Sequence, residues 1–119
     1  MKRAQPEAQI QKAVLAHLKA RGAKDMVYWH TPNGGKRNVI EAVRFKAMGV
    51  RPGVSDLIFL RNGEAFALEL KAADGRPTEN QLKFLSDFRN AGGHAVCAEG
   101  LNEAIAILET WKLLTGSSQ

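Results

Sequence analysis

Cysteine is almost missing from this chain. Cys97 stands alone among 119 residues, which excludes an intrachain disulfide framework and a cysteine-based zinc site. Histidine is scarce, and His17 and His94 show no metal-ligand spacing. No apolar run approaches the roughly 20 residues a membrane-spanning helix needs. The opening Met-Lys-Arg-Ala-Gln-Pro-Glu lacks the apolar core of a secretory signal. There is no internal repeat, low-complexity tract or interior linker. These absences point to an intracellular protein.

What is present has the balance of a globular domain: 45% hydrophobic and 24% charged residues. The length suits one domain over residues 1–119, with a short polar tail at 115–119. The net charge is +5, unevenly spread. Residues 1–51 carry eleven Lys and Arg against Glu7, Asp25 and Glu41. Residues 52–119 carry six against nine acids. Solvated surface charge would account for this; a polyanion drawn to a basic half beside an acidic site is the functional alternative.

The most informative stretch is Gly53 to Lys71. Two apolar runs flank Asn62-Gly63, the residue pair that suits a two-residue type I′ turn, where both positions need φ > 0. Pairing Arg61 with Glu64 sets Asp56 opposite Glu69. Facing Cβ atoms on such a pair lie roughly 4.5–5.5 Å apart. Lys71 points to the same face. Two carboxylates within reach of one divalent cation are the result. The bland reading is a salt-bridged Lys71 beside two surface acids on an edge strand. The apolar residues on both faces of the hairpin argue against it and predict central strands covered on both sides. Paired carboxylates repel unless a cation lies between them, and oxygen ligands suit Mg²⁺ or Mn²⁺ rather than zinc.

Around the hairpin, periodicity predicts a helix over 6–21, with Pro6 at its first position and Ile10, Val14 and Leu18 inward. Glu7 projects from that apolar face or its edge, or serves the helix dipole in the first turn. Residues 26–30 predict a strand ending in His30. The turn-rich, basic loop Thr31 to Asn38 follows, with amides and cations suited to phosphate. A second helix is expected over 39–48, with Arg44 and Lys46, and Arg51 follows it. A third opens at Thr78-Glu79-Asn80-Gln81, a capping-box pattern. Gln81 falls with Leu85 and Phe88 on the buried side, so capping and a site role are both open. A strand at 94–98 and a helix over 102–114 complete the order α β α β β α β α.

Taken together, Gly53-Val54-Ser55-Asp56-Leu57, Leu68-Glu69-Leu70-Lys71 and Thr78-Glu79-Asn80-Gln81 resemble the VRR-NUC branch of the PD-(D/E)xK nuclease superfamily. Pro32-Asn33-Gly34-Gly35 and the Gly49–Gly53 spacing resemble it as well. The likeness runs from about Glu7 to Val96. Ser55 stands where the superfamily name has Pro.

The resemblance implies an α/β fold with a restriction-endonuclease-like core, αβββαβ, a mixed sheet flanked by helices. It implies a Mg²⁺- or Mn²⁺-dependent DNA endonuclease, a homodimer similar to Holliday junction resolvases, in a bacterial or phage-infected cytoplasm. Flap, single-strand or restriction-like cleavage, or DNA binding without catalysis, are the alternatives. Asp56 and Glu69 match the metal-binding acids, joined by the backbone carbonyl of Leu70. Glu7 matches the acid of the first helix, Lys71 the lysine that orients the attacking water, and Gln81 the supporting glutamine. Asn33, Lys36, Arg37, Arg44, Lys46 and Arg51 are the expected phosphate contacts.

Overall fold

A computed structural model describes residues 6–32 and 39–116. The hairpin forms as its turn chemistry demands. Asn62 and Gly63 take φ of 51° and 79°, and the turn joins β2 (Leu57–Arg61) to β3 (Glu64–Lys71). Arg61 pairs with Glu64 and Leu57 with Leu68, the expected register. Leu57, Phe59, Phe66, Leu68 and Leu70 face one way; Ile58, Leu60, Ala65 and Ala67 face the other.

Two more strands extend the sheet to the order β1-β2-β3-β4. The β1 strand (Met26–His30) lies antiparallel to β2. The β4 strand (His94–Glu99) lies parallel to β3, which requires a crossover. Helix α3 (Glu79–Asn90) supplies it.

Helices cover the two faces unequally. On the Leu57 face lie α1 (Glu7–Arg21) and α4 (Leu101–Thr110). Ile10, Val14 and Leu18 of α1 and Ala104 and Leu108 of α4 complete the main core with Leu57, Phe59 and Leu68. On the other face α3 seats Leu85 against Ile58, Ala67 and Ala95. Its cover does not reach the β1–β2 end. Leu60 is 46% exposed and its β1 neighbour Val27 62%. The expectation of strands covered on both sides therefore holds for β3 and fails for part of β2. Helix α2 (Val39–Ala47) has no buried residue.

Two helix ends differ from expectation. Pro6 caps α1 instead of opening it, and its carbonyl accepts from Gln9 and Ile10 N–H at 3.0 and 3.1 Å. The last helix stops at Thr110, not 114. Lys112 turns to φ 64°, Leu113 N–H returns to the Leu108 carbonyl (2.9 Å), and Leu114 bridges to Gly22. Burying Leu113 and Leu114 against the main core wins over helix continuation. Among the described residues no helix is long and apolar enough to cross a membrane.

Candidate active site

The end of the sheet at the start of β2 holds the acids. Asp56 immediately precedes β2, and the end of β1 pins its backbone. Thr31 N–H and His30 Nδ1–H both donate to the Asp56 carbonyl, at 2.9 and 2.8 Å. A carbonyl only accepts, so His30 carries its proton on Nδ1. The Asp56 side chain turns to β3, where Oδ2 accepts from Leu70 N–H at 2.7 Å. Lys71 C=O accepts from Gly100 N–H on the β4 side (2.8 Å). The Leu70 carbonyl, one residue earlier in an extended strand, therefore points to the opposite edge, toward Asp56.

Glu69 is 1% exposed. Its Oε2 accepts from Gln81 Nε2 at 2.9 Å and lies 3.8 Å from Lys71 Nζ. Among the described residues its Oε1 is buried with no hydrogen-bond partner of good geometry, while the Asp56 side chain lies near enough to favour a proton on Glu69. Burial, above all, and the facing Asp56 charge push the Glu69 carboxyl up from 4.5 to about 8, against the pull of Lys71; Glu7 adds a smaller upward push. A buried acid left half satisfied is costly as pure structure.

Gln81 performs both roles left open by its sequence position. Its Oε1 accepts from Thr78 N–H (2.8 Å) and its backbone N–H donates to Thr78 Oγ1 (3.2 Å), the reciprocal capping box. Its Nε2 remains for Glu69. One side chain thus ties the start of α3 to the buried acid. Gly53 makes this approach possible. It sits at φ +81°, and a Cβ there would lie 2.4 Å from the Asn80 carbonyl carbon and oxygen and 2.8 Å from Gln81 N.

An open cleft of about 510 Å³ lies over the acids, lined by Glu7, Asp56, Glu69 and Gln81 with Ala8, Gln11, Lys12, His30 and Pro32. Glu7 and Gln11 stand one turn apart on α1, so the first turns of that helix form a wall. Gln11 and Lys12 carried no motif signal; their only trace in the sequence is this helical spacing from Glu7. Lys71 is buried beside Glu69 and is not among the cleft-lining residues.

The chain matches the sequence model of the VRR-NUC domain over residues 5–101. It belongs to the VRR-NUC domain family. A solved VRR_NUC domain protein is similar over 99% of each chain, with 25% identity and a TM-score of 0.75. No curated protein matches the chain. This VRR-NUC chain is thus a nuclease-type domain, and its four-stranded mixed sheet flanked by helices agrees with a PD-(D/E)xK-like core.

In this VRR-NUC chain Asp56 and Glu69 form a pair of carboxylates rather than a cage. Among the described residues no three His, Cys, Asp or Glu side chains group closely enough to hold a metal ion. Two acids plus the Leu70 carbonyl are an all-oxygen donor set, which suits a hard cation that keeps several waters. The unpartnered Glu69 Oε1 is the observation that fits such an ion.

Of the expected phosphate contacts, Asn33, Lys36 and Arg37 lie outside the described residues. Arg44 and Lys46 are exposed on α2. Arg51 is exposed against α3, bonded to Asp87 Oδ2 at 2.6 Å and with its guanidinium 5.2 Å over the Phe84 ring.

Proposed function

We propose that this VRR-NUC domain is a divalent-metal-dependent, structure-specific DNA endonuclease that resolves branched DNA in the manner of a Holliday junction resolvase. The observation that carries the reading is Glu69: a buried carboxylate with one oxygen unpartnered, facing Asp56 at the floor of an open cleft. Asp56, Glu69 and the Leu70 carbonyl would hold Mg²⁺ or Mn²⁺, with Glu7 at the cleft wall. Bound there, the cation would polarise the scissile phosphate and lower the pKa of a bound water.

The chain's own residues supply the rest. Gln81 holds Glu69 Oε2, so that Oε1 is the free acceptor. Lys71 places a fixed positive charge behind the carboxylate pair, to orient the nucleophile or stabilise charge building on the phosphoryl oxygens. Lys36, Arg37, Arg44, Lys46 and Arg51, with Asn33, hold the strands through phosphate. Such contacts position the duplex and do not read sequence.

A homodimer suits this activity, because a four-way junction has two-fold symmetry and a C2 dimer presents two equivalent sites. Exposed apolar side chains support it. Val39, Ile40 and Val43 stand on α2, and Val27, Trp29 and Leu60 on the open β1–β2 face.

The test is cleavage of four-way junctions, flaps and plain duplex with Mg²⁺ or Mn²⁺. Junctions are the expected preferred substrate, and Asp56→Ala is expected to abolish cutting. Full activity in Asp56→Ala refutes the site. DNA affinity with neither Mn²⁺ binding nor cleavage favours a non-catalytic module instead.

A further inference from the structure

Three clefts on this surface run into one another. The acidic cleft shares Pro32 and Gln81 with a second of about 390 Å³. That one shares Arg51, Pro52 and Asn80 with a third of about 340 Å³, which also holds Lys46, Lys83 and Asp87. The path thus leads from Glu7, Asp56 and Glu69, past the start of α3, to three cations. Gly53 lines its middle and packs directly on the Asn80 backbone.

We propose that this path is a nucleic-acid track: one DNA strand leaves the acidic cleft, crosses the start of α3, and places a flanking phosphate between Lys46, Arg51 and Lys83. The inference rests on the nuclease reading above and deepens it. It adds Asn80 and Lys83, on α3, to a binding surface that the sequence placed on the basic first half alone.

The charge arrangement is what a phosphodiester strand needs. The reacting phosphate belongs at the carboxylate pair, where a cation would neutralise it. The neighbouring phosphates bring no cation of their own and require basic side chains. The third cleft carries Lys46, Arg51 and Lys83 against one acid, Asp87. Asp87 pairs with two of them and leaves the cleft net positive. Its Oδ2 accepts from Arg51 Nη2 at 2.6 Å and from Lys83 Nζ at 3.2 Å, and the Phe84 ring supports the guanidinium from one side. Asn80, exposed between the second and third clefts, offers an amide to the backbone that passes over it.

The probes are a labelled four-way junction and a labelled single strand, titrated by anisotropy without divalent metal. Lys83→Ala removes a side chain that is 71% exposed, so folding is not at stake. It is expected to weaken binding about fivefold and to reduce the slope of log K on log salt by roughly 0.7–0.9 per lost phosphate contact. Lys24→Ala, at a residue that lines none of the three clefts, is expected to leave affinity and slope unchanged. Asp87→Asn removes the only acid of the cluster and is expected to tighten DNA binding. A merely structural Asp87 would give the opposite sign. Shortening the DNA on one side of the cut is expected to erase the Lys83→Ala effect, and shortening the other side to leave it.

Equal affinities for Lys83→Ala and Lys24→Ala, weaker binding by Asp87→Asn, or an effect erased equally from both sides overturns the track. If wild type still binds Mn²⁺ in calorimetry and cuts DNA in that event, the nuclease reading stands without it. If wild type neither binds Mn²⁺ nor cuts any DNA, both fall.

Discussion

Replacing Glu69 by Gln should stabilise the metal-free protein at alkaline pH while removing its affinity for the metal. The folded protein holds the Glu69 proton more tightly than the unfolded chain, with its carboxyl moved from 4.5 to about 8 by burial and the Asp56 charge. Between those values the folded state binds more protons than the unfolded state, so stability falls as pH rises. Below about 4.5 the group is protonated in both states and contributes no slope. Above about 8 the full penalty of a buried charge is in place. At 1.36 kcal/mol per unit the shift corresponds to on the order of 4–5 kcal/mol at most. For a domain of this size that is roughly 15–20 °C in Tm. Glutamine keeps the shape and an acceptor for Gln81 Nε2 but has no charge to bury. In EDTA, thermal melts from pH 5 to 9 should therefore slope downward for wild type and run flatter for Glu69→Gln, with the variant more stable at pH 9. Mn²⁺ at 100 times its Kd should then restore about 2.7 kcal/mol to wild type at alkaline pH and nothing to the variant. Parallel pH profiles, or a variant less stable than wild type at pH 9, would refute the assignment of Glu69 as a buried, cation-seeking acid.

The two roles of Gln81 can be separated. Thr78→Ala should lower stability by about 1 kcal/mol through the lost cap and leave Mn²⁺ affinity near wild type; Gln81→Ala should lose both, with metal affinity or cleavage down roughly 10–100-fold. Equal metal affinities in the two variants would mean that the Glu69 contact is incidental. Gly53→Ala should push the start of α3 away from the strands, because the new Cβ meets Asn80 backbone and φ is positive. About 2 kcal/mol or more of stability should go in urea unfolding, and wild-type stability would rule the close approach out. Neutralising Lys36 and Arg37 together should weaken DNA binding and flatten its salt dependence while calorimetry finds unaltered Mn²⁺ affinity. An unchanged salt slope would exclude a phosphate role for this pair.

The hairpin was legible because its information is local. Asn62-Gly63 selects one turn, the turn selects one register, and the register pairs Leu57 with Leu68, which leaves Asp56 just beyond the paired residues, next to Glu69 and Leu70. The helix at Thr78 and the inward side of α1 were legible for the same reason, since capping and periodicity act over a few residues. The end of α4 was not. Its pattern continues through Leu113 and Leu114, and only the core and the Gly22 bridge turn those two residues back. The open face over β1 and β2 was equally hidden. Leu60 reads as buried until the placement of α3 over β3 and β4 leaves it uncovered.

The sequence by itself determined that Glu69 and Lys71 share one strand face and that Asp56 stands at the start of the partner strand, through alternation and a two-residue turn. Only the tertiary structure decided what that face is for. The environment of Glu69 comes from Gln81 on α3, Glu7 on α1 and Asp56, which His30 and Thr31 of β1's end hold in place. Burial and an unpartnered oxygen belong to those surroundings rather than to the residue, and they arise only once segments far apart in the chain have packed together.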